Sequence, residues 1–346
     1  MKNYAIIMAG GVGSRFWPKG TSKLPKQFLK IAHDYDSMIQ QSFKRLNGLV
    51  DTSRIFVVTS IKQKELVKKQ LPQIHEENIL CEPFGRNTAP CIGLACLFIK
   101  QFDPKGNVFV LPSDHIINDV KEFQRVVNSG LKYVSENGGI VTLGITPTKP
   151  ETGYGYIKAG ASLDDTAIFH IDHFTEKPDL LRAKKFLQDR NYYWNSGIFM
   201  FRASAFLSEL AKYAADILQV CQETFANRQI DADFIHFNED IFVKSPAISI
   251  DYAVMEKTTR GLIAPVEMGW SDVGSWAALA ALKPTDQNGN VKLGDVQTVK
   301  VENSYMRAAS RKLAVIGVAN IIVIETADAV LVVDKNHCND VKLVAE

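Results

Sequence analysis

Three cations close to a glycine-rich turn are the first residues in this chain whose types and spacing suggest chemistry. The apolar run Tyr4-Ala5-Ile6-Ile7-Met8-Ala9 breaks into Gly10-Gly11-Val12-Gly13-Ser14-Arg15-Phe16-Trp17-Pro18-Lys19, and Pro25-Lys26-Gln27-Phe28 follows shortly after. A strand ending in glycines lets backbone N–H groups approach phosphate, because glycine has no Cβ to hold the ligand away. Arg15, Lys19 and Lys26 add the positive charge that such a ligand needs. Two familiar phosphate loops do not match. The dinucleotide pattern G-x-G-x-x-G fails because Phe16 stands at the third glycine position, and the Gly-Lys-Ser/Thr of the triphosphatase loop is missing near this strand.

Carboxylates and polar groups elsewhere could complete a site. Asp114, in Leu111-Pro112-Ser113-Asp114-His115, reads either as a turn or N-cap carboxylate or as a magnesium ligand. Asp272, in Gly269-Trp270-Ser271-Asp272-Val273-Gly274-Ser275-Trp276, is the best second carboxylate, or else part of an aromatic-packed turn before a helix. Glu176-Lys177-Pro178 would set a lysine near a helix N-terminus, although a solvated charge pair explains it equally well. Asn195-Ser196-Gly197, ahead of a strand from Ile198 to Phe201, offers groups suited to sugar hydroxyls. Gly155, in Thr152-Gly153-Tyr154-Gly155-Tyr156, permits close approach to a sugar or marks a bulge. His170, His173 and His236 read as packed or surface histidines, since no nucleophile pattern accompanies them.

These residues must be positioned by strands and helices that the pattern also shows. Strands are expected at Tyr4–Ala9, Ile55–Thr59, Ile79–Glu82, Val108–Pro112 and Ile140–Leu143. Helices are expected around Ile39–Leu49, Thr88–Phe102 and Val120–Glu136. Apolar strands alternating with helices imply an α/β fold, a Rossmann-like, mainly parallel mixed sheet flanked by helices, with ligands beyond the C-terminal strand ends. After Pro284, the turn-like Asp286–Asn290 leads into short β-type runs, Val296–Val301, Leu313–Val318, Ile321–Glu325 and Ala329–Val333, with clusters every eight to ten residues. That texture reads as a small all-β, β-helix-like domain, so the expected division is 1–284 and 285–346.

The bulk numbers set limits. The chain has 346 residues, 46% hydrophobic and 23% charged, with a net charge of +2. Neither a nucleic-acid surface nor a membrane patch is expected from that balance. No apolar run approaches the roughly 20 residues of a membrane span. The N-terminus reads as too short and too poorly flanked for a signal peptide. Five cysteines without a C-x-x-C pair suggest reduced thiols in a cytoplasmic protein, and the seven histidines show no zinc-ligand spacing.

Taken together, the motifs carry a resemblance. The glycine loop with Trp17-Pro18 and Pro25-Lys26-Gln27-Phe28 resembles that of the sugar nucleotidyltransferases, most closely the mannose-1-phosphate guanylyltransferases. In order there follow Glu82-Pro83-Phe84-Gly85-Arg86-Asn87-Thr88-Ala89-Pro90, Leu111–His115, Glu151-Thr152-Gly153-Tyr154-Gly155-Tyr156-Ile157, Phe174–Pro178, Asn195–Phe199, Ser249-Ile250-Asp251-Tyr252-Ala253 and Trp270–Trp276. The family's loop arginine is usually followed by leucine, where this chain has Phe16. The resemblance implies a nucleotidyltransferase-type catalytic domain followed by a left-handed β-helix. Longer members add a cupin-type isomerase domain, for which this chain ends too early.

The implied reaction is GTP plus mannose 1-phosphate giving GDP-mannose and pyrophosphate. The sugar phosphate attacks the α-phosphorus in line, with Mg2+ held by Asp114 and Asp272. By the same resemblance, Arg15 and Lys26 cover the triphosphate. Gly10, Gly11, Gly13, Glu82, Arg86, Asn87, Thr88 and Ser113 bind the nucleotide, and Gly155, Glu176, Lys177 and Asn195 bind the sugar phosphate. A homodimer through the C-terminal domain is the expected assembly. The rival readings are a nucleotidyltransferase for another sugar or base, a non-catalytic paralogue that senses GDP-mannose, and a Rossmann oxidoreductase, against which Phe16 argues.

Overall fold

The computed structural model describes residues 1–11, 13–32, 35–163, 166–231 and 234–345. Val12 of the glycine loop lies outside the described residues. The chain divides into two compact units: Met1–Gly10, Gln41–Ser113 and Ile117–Trp270 form the first; Gly11–Gln40, Asp114–Ile116 and Ser271–Glu346 form the second. The 284/285 boundary expected from composition falls inside the second unit.

The first unit is built on an eleven-stranded mixed sheet. Its parallel centre consists of β1 (Asn3–Ala9), β2 (Ile55–Ser60), β3 (Ile79–Glu82) and β4 (Asn107–Pro112), side by side in the order β3-β2-β1-β4. These strands are almost wholly buried, which is why each reads as a continuous apolar run rather than an alternating one. The helices Thr88–Phe102 and Val120–Asn137 close to the expected limits. Ala9 pairs with Thr59, Ser60 with Glu82, and Met8 with Pro112, so the C-terminal strand ends lie level. That register sets Gly10, Glu82 and Ser113 along one edge of the sheet.

Beyond β4 the sheet turns antiparallel through Tyr192–Arg202, and Ile140–Ile145, Gly261–Pro265, Phe169–Thr175 and Tyr156–Ser162 complete it. Tyr192–Arg202 begins earlier than its apolar run suggests. Asn195-Ser196-Gly197 therefore lies within a strand rather than ahead of one. The reason is a bulge: the pairing with Ile140–Ile145 slips between Thr142 and Gly144, and Gly197 takes φ +70°.

In the second unit, short parallel strands stack as coils. Val296 pairs with Leu313, Glu302 with Ala319, and Tyr305 with Ile322, each at the same sequence offset. Successive strands alternate between two sheets as far as Ile321–Glu325, which accounts for valine and isoleucine clusters every eight to ten residues, and Val330–Asp334 then folds back antiparallel on Ile321–Glu325. The 3-10 segment Lys335–Leu343 ends the unit. Its core is continuous with the loop between Gly11 and Gln40: Phe16, Leu29, Ile31, Trp276, Tyr305, Ile322, Cys338 and Val341 share one buried cluster. The Trp276 ring lies 5.0 Å from Phe16 and 6.2 Å from Tyr305, and its Nε1 donates to the Trp17 carbonyl at 2.9 Å. All five cysteines of the chain are buried and free of disulfides. Among the described residues, no helix is long and apolar enough to cross a membrane.

Removing the Tyr305 ring leaves a cavity beneath Trp276. Tyr305→Ala is therefore expected to lower stability by about 3–5 kcal/mol in urea denaturation. An unchanged midpoint and slope would show that the aromatic contact is not structural.

Candidate active site

Lys26 is the centre of the second unit's polar cluster. Its side chain is only 8% exposed. The Nζ donates to Asp114 Oδ2 at 2.8 Å and to the Asp272 carbonyl at 2.6 Å, and it stands 5.6 Å above the Phe16 ring. Burial works against the Asp114 charge, but the Lys26 ammonium, helped by His115, outweighs it and holds the carboxyl below its ordinary range. Phe16, standing where leucine is usual in the resembled family, thus supplies a π face beneath the ammonium that leucine lacks.

The backbone around this cluster is tightly determined. Gly13 has φ +66°, and a Cβ added there falls 2.5 Å from Lys26 Cβ and 2.6 Å from its backbone nitrogen. Only glycine allows the loop to lie against the lysine in this way. Gln27 Nε2 donates to the Gly11 carbonyl at 2.9 Å, tying the same loop from the other side. Arg15 Nη1 donates to the Gly274 carbonyl at 3.2 Å. Asp272 Oδ1 accepts from Gly274 N at 3.2 Å, and Ser275 caps the short helix Trp276–Ala280. Val273, between them, is fully buried at φ +46°, a costly conformation for a β-branched residue and one the sequence did not disclose. Gly13, Arg15, Lys26, Asp114, Asp272 and Gly274 all line one open cavity of about 270 Å³.

The first unit holds two further groups of expected residues. At the C-terminal edge of β3, Glu82 is 4% exposed, and its Oε1 has no hydrogen-bond partner among the described residues. Burial pushes this carboxyl up to about 8. A Cβ on Gly10 would come within 3.7 Å of Glu82 Oε2, so the root of the glycine loop borders this carboxyl. Asn87, at φ +66°, caps the helix that starts at Thr88, and Thr88 Oγ1 accepts from Ile250 N at 2.9 Å. Arg86 is turned onto its own neighbours, the Phe84 ring at 5.0 Å and the Val243 carbonyl at 2.6 Å. Ser113 is buried, its N–H donating to the Met8 carbonyl at 3.0 Å.

The other group gathers Gly155, Glu176, Lys177 and Asn195. A Cβ on Gly155 would stand 2.5 Å from Glu176 Oε2 and 3.3 Å from Asn195 Cβ, so glycine is required by close approach. Lys177 Nζ pairs with Glu176 Oε1 at 2.8 Å. Burial opposes the Lys177 charge, but the Glu176 carboxylate prevails and raises its pKa. Asp251 joins this group by accepting from Asn195 Nδ2 at 2.8 Å, a contact that the sequence pattern alone did not reveal. Its motif was visible; its role depends on a π-helical turn, Asp251–Met255, that no local pattern announces.

The family model described as nucleotidyl transferase covers residues 4–289, and one described as MannoseP isomerase/GMP-like beta-helix domain covers residues 294–346. The chain belongs to the nucleotidyl transferase family. It is similar to the mannose-1-phosphate guanylyltransferase of Escherichia coli strain K12, at 43% identity over 352 residues, covering 100% of this chain and 73% of that one. The protein of the same name from Klebsiella pneumoniae is 44% identical over 345 residues, covering 99% and 73%. A crystal structure described as mannose-1-phosphate geranyltransferase, from Thermus thermophilus, aligns with a TM-score of 0.89 at 30% identity over 99% of this chain and 98% of that one. The family implies a nucleoside triphosphate and a sugar phosphate as substrates, and its nucleotidyltransferases generally use a divalent metal.

Because the Gly13 position tolerates no Cβ, Gly13→Ala is expected to displace Lys26. Nucleoside triphosphate binding, followed by fluorescence titration, should weaken by about tenfold or more while the circular dichroism spectrum is retained. Wild-type affinity in the variant would show that the loop does not hold the lysine in place.

Proposed function

We propose that the protein transfers GMP from GTP to mannose 1-phosphate, giving GDP-mannose and pyrophosphate. The observation that carries this reading is the buried Lys26 ammonium shared between Asp114 and Asp272, in a chain 43% identical to a mannose-1-phosphate guanylyltransferase along its whole length. Two polyanions must meet in such a reaction, and charge builds on the α-phosphate as pyrophosphate leaves. Positioning and fixed positive charge supply most of the acceleration in phosphoryl transfer. Lys26 and Arg15 neutralise the triphosphate, and the backbone N–H groups of Gly11 and Gly13 follow it. Lys177 binds the phosphate of the sugar, while Glu176 and Asn195 meet its hydroxyls. Residues 1–284 carry the chemistry and 285–346 the coiled β segment.

The donor set fits Mg2+. Asp114 and Asp272 line the same cavity, and the Asp114 carboxylate already meets one cation there, the Lys26 ammonium at 2.8 Å. Mg2+ is usually held by one or two carboxylates and completes its shell with phosphate oxygens and water. When bound, the ion would neutralise phosphate charge.

Glu82 supplies the reading of the base. A carboxylate accepts hydrogen bonds and does not donate them when ionised. The Watson–Crick edge of guanine offers two adjacent N–H donors, N1–H and N2–H, whereas adenine places an acceptor at N1. Burial raises the Glu82 carboxyl to about 8, and the two N–H donors of guanine favour its ionised form, so base binding and ionisation reinforce each other with guanine and not with adenine, whose N1 is an acceptor. Asn87, Thr88, Arg86 and Ser113 frame the same subsite. The exposed Val330, Val332, Val299 and Ile316 of the coiled segment suit a second copy of the chain, and we assign a homodimer through this segment in the cytoplasm.

Pyrophosphate release with GTP, mannose 1-phosphate and Mg2+ should exceed that with ATP, dTTP or glucose 1-phosphate. Preference for another pair would assign the protein to a different sugar or base, and tight GDP-mannose binding without turnover would make it a sensor. Lys26→Ala and Asp272→Asn should each lower turnover by roughly 10²-fold while the fold survives. Near-normal kinetics in folded Asp272→Asn would remove that residue from the metal role. Glu82→Gln, which presents an amide instead of two acceptors, should reduce the GTP-over-ATP ratio of kcat/KM by about 10²-fold. An unchanged ratio would move base recognition elsewhere.

A further inference from the structure

We propose that Asp251 is a positioning residue of the sugar-phosphate subsite, fixing the Asn195 amide so that its one remaining N–H is offered to a sugar hydroxyl. This rests on the reading of Gly155, Glu176, Lys177 and Asn195 as that subsite. The geometry is a matter of counting donors and acceptors. Asn195 Oδ1 accepts from Gly197 N at 3.2 Å and from Thr142 Oγ1 at 3.0 Å, whose one proton it shares with the Ile198 carbonyl, also at 3.0 Å. One Nδ2 proton goes to Asp251 Oδ1 at 2.8 Å. The second Nδ2 proton has no protein acceptor among the described residues. The amide cannot be turned over, because the Gly197 N–H needs the oxygen and the Asp251 carboxylate needs the nitrogen. The strand bulge at Gly197 and the carboxylate of Asp251 thus set the direction of a single donor.

Asp251 is itself held from several sides. It opens the π-helical turn Asp251–Met255, and the preceding Ile250 N–H donates to Thr88 Oγ1, on the helix that follows the base-reading segment. At the other end of the turn, Glu256 Oε1 accepts from the backbone N–H of Glu176 at 3.0 Å. A single irregular turn therefore links Thr88, Asn195 and Glu176. The charged and polar groups that face Asp251 are the Glu176 carboxylate, the Lys177 ammonium and the Ser249 hydroxyl. Burial first, and Glu176 second, push the Asp251 carboxyl up to about 7, against Ser249 and Lys177. Its charge is consequently lost as pH falls through neutrality, and its hold on Asn195 weakens, since a charged acceptor binds more strongly than a neutral one.

The test is the KM for each substrate in wild type, Asn195→Ala, Asp251→Ala and Asp251→Asn, from pH 6 to pH 8. Asp251→Ala should raise KM for mannose 1-phosphate by about tenfold and leave KM for GTP within about threefold. Asp251→Asn keeps an oxygen that accepts from Asn195 Nδ2. It should restore sugar-phosphate affinity to near the wild-type value at pH 8 and remove the wild-type loss below neutrality; the substrate's own titration cancels in that comparison. If Asn195→Ala raises the sugar-phosphate KM but Asp251→Ala does not, the positioning role is overturned while the subsite stands. If neither variant changes it, subsite and positioning role fall together. An equal rise in both KM values in Asp251→Ala and Asp251→Asn would reduce Asp251 to a structural residue.

Discussion

The ammonium of Lys26, shared between the Asp114 carboxylate and the Asp272 carbonyl, is the interaction that the packing of the second unit holds in place. A lysine 8% exposed must meet partners or lose its charge, and here a carboxylate, a carbonyl and an aromatic face meet it together. Each of those partners needs its own support. Asp272 sits in a turn that forces Val273 to a positive φ, and the short helix after it is capped by Ser275. Phe16 needs Trp276, which in turn rests against Tyr305 of the coiled strands. The β coil is therefore more than an appendage. Its core extends without interruption to the ring beneath the lysine.

The first unit solves a different problem by ordinary means. Continuous apolar strands give a buried parallel centre, and the level register of β1 to β4 delivers Gly10, Glu82 and Ser113 to one edge. Polar side chains are brought together at two places where regular structure is broken. One is the bulge that turns Asn195 within a strand; the other is the π-helical turn that brings Asp251 to it. Such irregularities cost conformational energy and persist where surrounding contacts determine them.

Much of this was legible in the sequence because it is local. The apolar run at the N-terminus reads directly as β1, and 3.6-residue periodicity marks the helices Thr88–Phe102 and Val120–Asn137 nearly to their ends. What could not be read depends on contacts between distant segments. Asn195-Ser196-Gly197 has the composition of a turn, and only pairing across the sheet makes it part of a strand. Asp251 carries no local sign of partnership with Asn195, 56 positions earlier. The packing of Tyr305 beneath Trp276, which draws the loop between Gly11 and Gln40 into one core with the C-terminal coils, is likewise invisible to periodicity.

The central claim is that Lys26, Asp114 and Asp272 form one polyphosphate and metal centre. Binding of Mn2+ in the presence of GTP, measured by electron paramagnetic resonance, tests it most directly, because the ion reports on the carboxylates without requiring turnover. The account predicts one GTP-dependent binding event in the wild type that weakens by about tenfold or more in both Asp114→Asn and Asp272→Asn. Wild-type Mn2+ affinity in both folded variants would contradict it.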